Sequence, residues 1–154
     1  MNQTEMLEFA KTTAKGAGAI LMQHYGMIST VERKSTHIDL VTIADTESES
    51  FILNQIKAAY PQHHIIAEES AFVENNSAYR WVIDPLDGTT NFVHNLPIFA
   101  VSIGLQYKKE TIVAAVYNPA ADKCFWAEKN GKAYLNAELI QITSSNTLSN
   151  SLLV

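Results

Sequence analysis

The chain has 154 residues, which suits one domain or part of a larger one, and at 47% hydrophobic and 18% charged it falls in the globular range with enough length for a core. Its net charge of −5, with 11 Lys and Arg scattered and no basic run longer than Lys108-Lys109, argues against a nucleic-acid or anionic-membrane surface. One cysteine, Cys124, allows no internal disulfide, so a reducing compartment is expected and Cys124 reads as a small core hydrophobe.

"MNQTEMLEFAKTTAK" has no apolar signal region, and no apolar run approaches the ~20 residues of a membrane helix; a cytoplasmic location is the expectation. Helical periodicity runs over residues 4–25, with Met6, Leu7, Ala10, Ala14, Ala17, Leu21 and Tyr25 on one face and Gly26 as a stop. A second helix is expected from near Thr42 to Pro61, with a stripe of Ile43, Phe51, Ile52, Ile56 and Ala59. Strands follow: "HHIIA" (63–67), "RWVID" (80–84), "FAVSIGLQY" (99–107) and "TIVAAVYNP" (111–119), the last two an antiparallel pair joined through residues 108–110. "KCFWAEK", Asn130-Gly131 and "KAYLN" predict a hairpin with a type I′ turn, and "ELIQIT" another strand. Helices first and strands later predict an α+β fold, helices layered on a mostly antiparallel sheet. The closing "NSLLV" looks like a strand just starting.

Three acidic clusters lie at element ends: Asp39 and Asp45, Glu68-Glu69, and Asp84 with Asp87 in "WVIDPLDGTTNFVH" (81–94). Two of them follow apolar strands directly. If those strands end on one side of one sheet, several carboxylates converge, and cations are needed to keep them ionised. An all-oxygen donor set without clustered His or Cys selects Mg²⁺ or Mn²⁺. After Asp87, Gly88 permits close backbone approach, and Thr89-Thr90-Asn91 can open a helix whose N–H groups face an anion.

Plainer readings stand beside this one. Asp-Pro-Leu-Asp-Gly makes a good β-turn by itself. Thr42-x-x-Asp45 fits a capping box, Glu68-Glu69 fits a solvated pair, Asp39 fits local turn bonding, and His94 fits a packed, hydrogen-bonded histidine. His63-His64 is too close in sequence for a chelating pair on a strand. An EF-hand loop from Asp84 is excluded by Leu86 and Gly88 at ligand positions. The D-x-D-G-T pattern of aspartyl-phosphate phosphatases is excluded because these acids are three apart, and no P-loop or Rossmann glycine pattern occurs.

"DLVTIAD", "AEES" and above all "WVIDPLDGTTNFVH" resemble the inositol monophosphatase family of Mg²⁺-dependent, lithium-sensitive phosphatases, from the first helix to "SLLV". The resemblance implies that Glu68, Asp84 and the Leu86 carbonyl hold a first Mg²⁺, and that Asp84 bridges to a second ion shared with Asp87. It implies that Gly88 and Thr89 offer N–H groups to phosphate, that the Thr89 hydroxyl and Asp45 orient the attacking water, and that Lys34 is a basic group near that water. Ala67 stands where the family usually has glycine.

The family continues well beyond this length into a W-D-x-A motif that this chain lacks, so residues 1–154 resemble an N-terminal metal-binding domain without its substrate half. The implied activity is hydrolysis of inositol monophosphate, with a small phosphorylated polyol as substrate, no nucleic-acid or membrane partner, and a homodimer. The alternatives are a related sugar or nucleotide phosphatase, and an inactive fragment or regulatory module that binds a partner chain.

Overall fold

The computed structural model describes residues 2–27, 36–67, 77–144, 147 and 149, with residues 36–42 as backbone only. Helix α1, Gln3–His24, starts where the Asn2 side chain accepts the Thr4 N–H at 3.2 Å, a polar cap on an otherwise orphaned donor. Its last turn closes with the Tyr25 N–H on the Leu21 carbonyl, and Gly26 follows at φ 81°, a left-handed stop. Met6, Leu7, Ala10, Ala14, Ala17 and Leu21 are buried as the periodicity requires. Small residues on this face let the helix lie close to the sheet. At Gly18 an added Cβ would stand 2.7 Å from the Tyr117 ring.

Helix α2, Thr36–Ala59, begins six residues before the expected Thr42, because nothing between Thr36 and Thr42 breaks a helix. The Thr42-x-x-Asp45 pattern therefore lies inside the helix rather than at its start. Asp39 is likewise helical rather than in a turn. The buried stripe is Ala44, Ser48, Ile52 and Ile56, four residues apart and each 0% exposed. It is displaced from the expected one: Ile43 is 44% exposed and Ala59 faces solvent.

Seven strands pair in sequence order: β1 His64–Ala67, β2 Tyr79–Asp87, β3 Ala100–Tyr107, β4 Glu110–Asn118, β5 Lys123–Glu128, β6 Ala133–Leu135 and β7 Glu138–Ile140. β1 runs parallel to β2, with Ala67 opposite Ile83, and every later pair is antiparallel. The α+β expectation holds. The β3–β4 turn uses Lys108 and Lys109, both at positive φ. The β5–β6 connection is not the expected type I′ turn: Asn130 is left-handed at φ 65° but Gly131 is not. The loop from Glu128 to Ala133 is too long for a two-residue hairpin.

The two helices cover one face. Trp81, Ile83, Val101, Ile103, Leu105, Val113 and Ala115 point into it beside Leu21, Ile52 and Ile56. Burying each large apolar side chain there contributes roughly 1.5–3 kcal/mol. The other face carries Ala114, Val116 and Phe125, with Phe125 41% exposed. Cys124 is buried, and burial pushes its thiol above the ordinary range, which suits a core residue.

His63 precedes β1 and lies between Tyr60 and Tyr79, with ring centroids 4.9 and 4.8 Å away. Trp81 Nε1 donates to its Nδ1 at 3.1 Å, which fixes the neutral tautomer. Burial pushes this imidazole below its usual range. The unfolded chain therefore takes up a proton that the folded chain resists, and stability is lost as pH falls below about 6.5. Thermal melts between pH 5 and 8 should show a fall on acidification that is shallower in His63→Phe; identical slopes would contradict this assignment.

Candidate active site

β2 carries the Asp-Pro-Leu-Asp turn, and its register explains the spacing of the acids. Asp84 pairs with Ser102 and Asp87 with Ala100, so Pro85 and Leu86 stand on β2 where only Val101 stands on β3. This is a β-bulge, and Pro85, which has no N–H for a ladder, sits in it. Opposed residues share a face, and Ser102 and Ala100, two apart, share one as well. Asp84 and Asp87 therefore project to the same side although they are three apart. An unbulged strand would have set them on opposite faces.

The turn is wired internally. The Leu86 N–H donates to Asp84 Oδ1 at 3.1 Å, and Thr89 Oγ1 donates to the Leu86 carbonyl at 3.1 Å. The Thr89 hydroxyl thus spends its hydrogen on Leu86, leaving oxygen lone pairs outward as acceptors. The Leu86 carbonyl retains a second lone pair. Gly88 has φ 88°, and an added Cβ would lie 2.9 Å from the Ile98 carbonyl oxygen. Only glycine fits that cradle without strain.

The short helix α3, Thr89–Val93, is anchored by buried Phe92 against Tyr25 and Phe99, at centroid distances of 5.6 and 5.0 Å. Its first N–H groups have no intrahelical acceptor and belong to the Gly88–Thr89 corner. His94 follows at the C-cap, exposed rather than packed. A cavity of about 300 Å³ opens beside the turn, lined by Asp87, Gly88, Asn91, Ile98, Val116 and Phe125 among others.

α2 reaches this turn from the helix side. Ser48 Oγ donates to the Pro85 carbonyl at 3.0 Å in a buried contact, and Asp45 sits one turn ahead of Ser48. Glu49, beside it, is 7% exposed with no partner for its Oε2. Neither Ser48 nor Glu49 belongs to the sequence reading, although a serine in register with Ala44, Ile52 and Ile56 is a visible signal.

Asp84, Leu86, Asp87, Gly88 and Thr89 are thus brought into one turn, with Asp45 on the helix docked to it. Glu68, Glu69, Lys34 and the terminal "SLLV" lie outside the described residues. β1 does end at Ala67, opposite Ile83 and one position before Asp84. Among the described residues no group of three or more His, Cys, Asp or Glu could hold a metal ion. The described oxygen donors are Asp84, Asp87 and the Leu86 carbonyl, a hard set suited to Mg²⁺ or Mn²⁺, and the cavity lined by Asp87 and Gly88 leaves room beside them.

The sequence from residue 2 to 154 matches the inositol monophosphatase family. Inositol monophosphatase 1 of Homo sapiens is 36% identical over 154 residues, covering 97% of this chain and 56% of that protein. The Aquifex aeolicus (strain VF5) protein named fructose-1,6-bisphosphatase/inositol-1-monophosphatase is 39% identical over 149 residues, covering 96% of this chain and 56% of its own length. The solved inositol monophosphatase from Anabaena (Nostoc) sp. PCC 7120 superposes with a TM-score of 0.80 at 36% identity, over 94% of this chain and 52% of that one. The suhB extragenic suppressor protein of Bartonella henselae gives 0.81 at 32% identity, over 92% and 55%. The chain spans about half the length of these relatives. No described helix is long and apolar enough to cross a membrane. With its fold and its bulged Asp-Pro-Leu-Asp-Gly-Thr turn, the chain belongs to the inositol monophosphatase family.

Proposed function

We propose that this chain supplies the metal- and phosphate-binding half of a Mg²⁺-dependent phosphomonoesterase acting on a small phosphorylated polyol, inositol monophosphate first among them. The observation that carries the reading is the bulge that turns Asp84 and Asp87 to one face beside the Gly88 corner. Glu68, Asp84 and the Leu86 carbonyl would hold one Mg²⁺ (or Mn²⁺), and Asp84 with Asp87 a second. When bound, such ions lower the pKa of water and stabilise the charge that develops on the leaving oxygen.

The remaining work falls to the chain's own groups. The Gly88 and Thr89 N–H groups bind phosphate oxygens at the helix start. Thr89 Oγ1, its hydrogen held by the Leu86 carbonyl, accepts from the attacking water, and Asp45 orients that water from α2. Lys34 would supply a basic group near it. In the same reading the protein is cytoplasmic, lithium-sensitive and a homodimer.

A second reading is a non-catalytic module binding a partner chain. It is favoured by Phe125, Leu139 and Ile140 exposed on the outer part of the sheet, with Ile142 exposed just beyond it, and by a 40% identical relative from Vibrio cholerae named Nus factor SuhB.

Phosphate release from inositol 1-phosphate and from fructose 1,6-bisphosphate at millimolar Mg²⁺, with sedimentation of the same samples, tests both readings. The 154 residues alone should be poorly active and prone to associate, because a one-sided sheet exposes apolar surface. The protein extended to the length of its relatives should release phosphate, from the inositol ester preferentially. No release by the extended protein would remove the enzymatic reading. A monomeric, fully active 154-residue chain would remove the half-site assignment.

A further inference from the structure

We infer that Ser48 is a positioning residue for the metal cradle, an inference that rests on the metal site proposed above. The peptide unit between Pro85 and Leu86 is clamped at both ends. Its carbonyl accepts from Ser48 Oγ at 3.0 Å, and its N–H donates to Asp84 Oδ1 at 3.1 Å. That one rigid plane therefore links a helix hydroxyl to the aspartate assigned as the bridging ligand.

The plane lies inside the bulge, where the ladder to β3 is interrupted and cannot hold it. Pro85 adds no N–H of its own. Ser48 is 0% exposed, so its hydroxyl has no water to turn to and its bond is fixed by α2 itself. Rotation of the plane would carry away the N–H that orients Asp84 and would also tilt Leu86, whose carbonyl is the other assigned ligand. The Ser48 hydroxyl accordingly sets the angle at which two donors face the ion.

Mg²⁺ and Ca²⁺ distinguish this role from simple stabilisation. Mg²⁺ demands near-octahedral geometry, whereas Ca²⁺ accepts loose and variable coordination. Isothermal titration of the 154-residue chain with each cation, alongside metal-free melting, is the experiment, on wild type, Ser48→Ala, Ser48→Cys and Asp84→Asn. Ser48→Ala should weaken Mg²⁺ binding about tenfold and Ca²⁺ binding less than about threefold, the scale of a lost outer partner. Ser48→Cys keeps the volume with a weak donor and should fall between wild type and Ser48→Ala. Equal Mg²⁺ binding by wild type and Ser48→Ala, or equal losses for both cations, would overturn the positioning role while leaving the metal site in place. Equal Mg²⁺ binding by wild type and Asp84→Asn, or none by wild type, would overturn the metal site and this inference with it.

Discussion

Asp84→Asn is expected to reduce Mg²⁺ affinity by about 100-fold or more, against a much smaller change for Glu69→Gln. The asymmetry follows from position. Asp84 would serve both cations in the proposed site, so its carboxylate would offset charge in both at once. One of its oxygens already takes the Leu86 N–H, which fixes how the carboxylate is presented. An amide there keeps the shape of the turn but removes the negative charge and turns one donor atom into an N–H₂ group. Glu69, the second of two adjacent glutamates, has no assigned place among the ligands. Calorimetric titration with Mg²⁺ or Mn²⁺ decides the matter, and equal binding by wild type and Asp84→Asn would remove the metal assignment.

Thr89→Ala, made in protein of the full family length, should lower kcat on the order of 10²-fold or more with a smaller rise in KM. The hydroxyl does not cap α3: its hydrogen goes back to the Leu86 carbonyl, and the N-cap position is Gly88, which has no side chain to offer. Its proposed role therefore lies in the acceptor lone pairs it would present to water. The backbone N–H that would hold phosphate survives the substitution, which is why binding suffers less than turnover. Unchanged phosphate release from inositol 1-phosphate would reduce Thr89 to a structural residue.

Much of this architecture was legible in the sequence because period and punctuation carry it. The alternation in "FAVSIGLQY" gives β3, with Val101, Ile103 and Leu105 inward, and the α1 stripe buries the residues its spacing names. What escaped was decided by tertiary context. Thr42 and Asp45 have the spacing of a helix start, yet no breaker precedes them and α2 begins at Thr36. Asn130-Gly131 has the composition of a tight hairpin, but the register of β5 and β6 sets a longer loop. The Asp84–Asp87 spacing hinted at a turn, and only the pairing with Ser102 and Ala100 turns it into two carboxylates on one face. Ser48 carries no motif, since its meaning depends on a carbonyl 37 residues away.

The strand order has a kinetic corollary. From β2 to β7 each strand pairs with its successor in the chain, so the antiparallel part of the sheet can zip one short loop at a time, and each step closes only a little chain. α1 is different. The Gln3 side chain donates to the Ile112 carbonyl at 2.9 Å across 109 positions, and the helix rests on β3, β4 and β5. Although synthesised first, α1 can meet only α2 at once, and its seat is complete only when β3, β4 and β5 exist. During synthesis its Met6, Leu7 and Leu21 face is fully covered only after most of these 154 residues have emerged, which leaves apolar surface open to wrong partners until then.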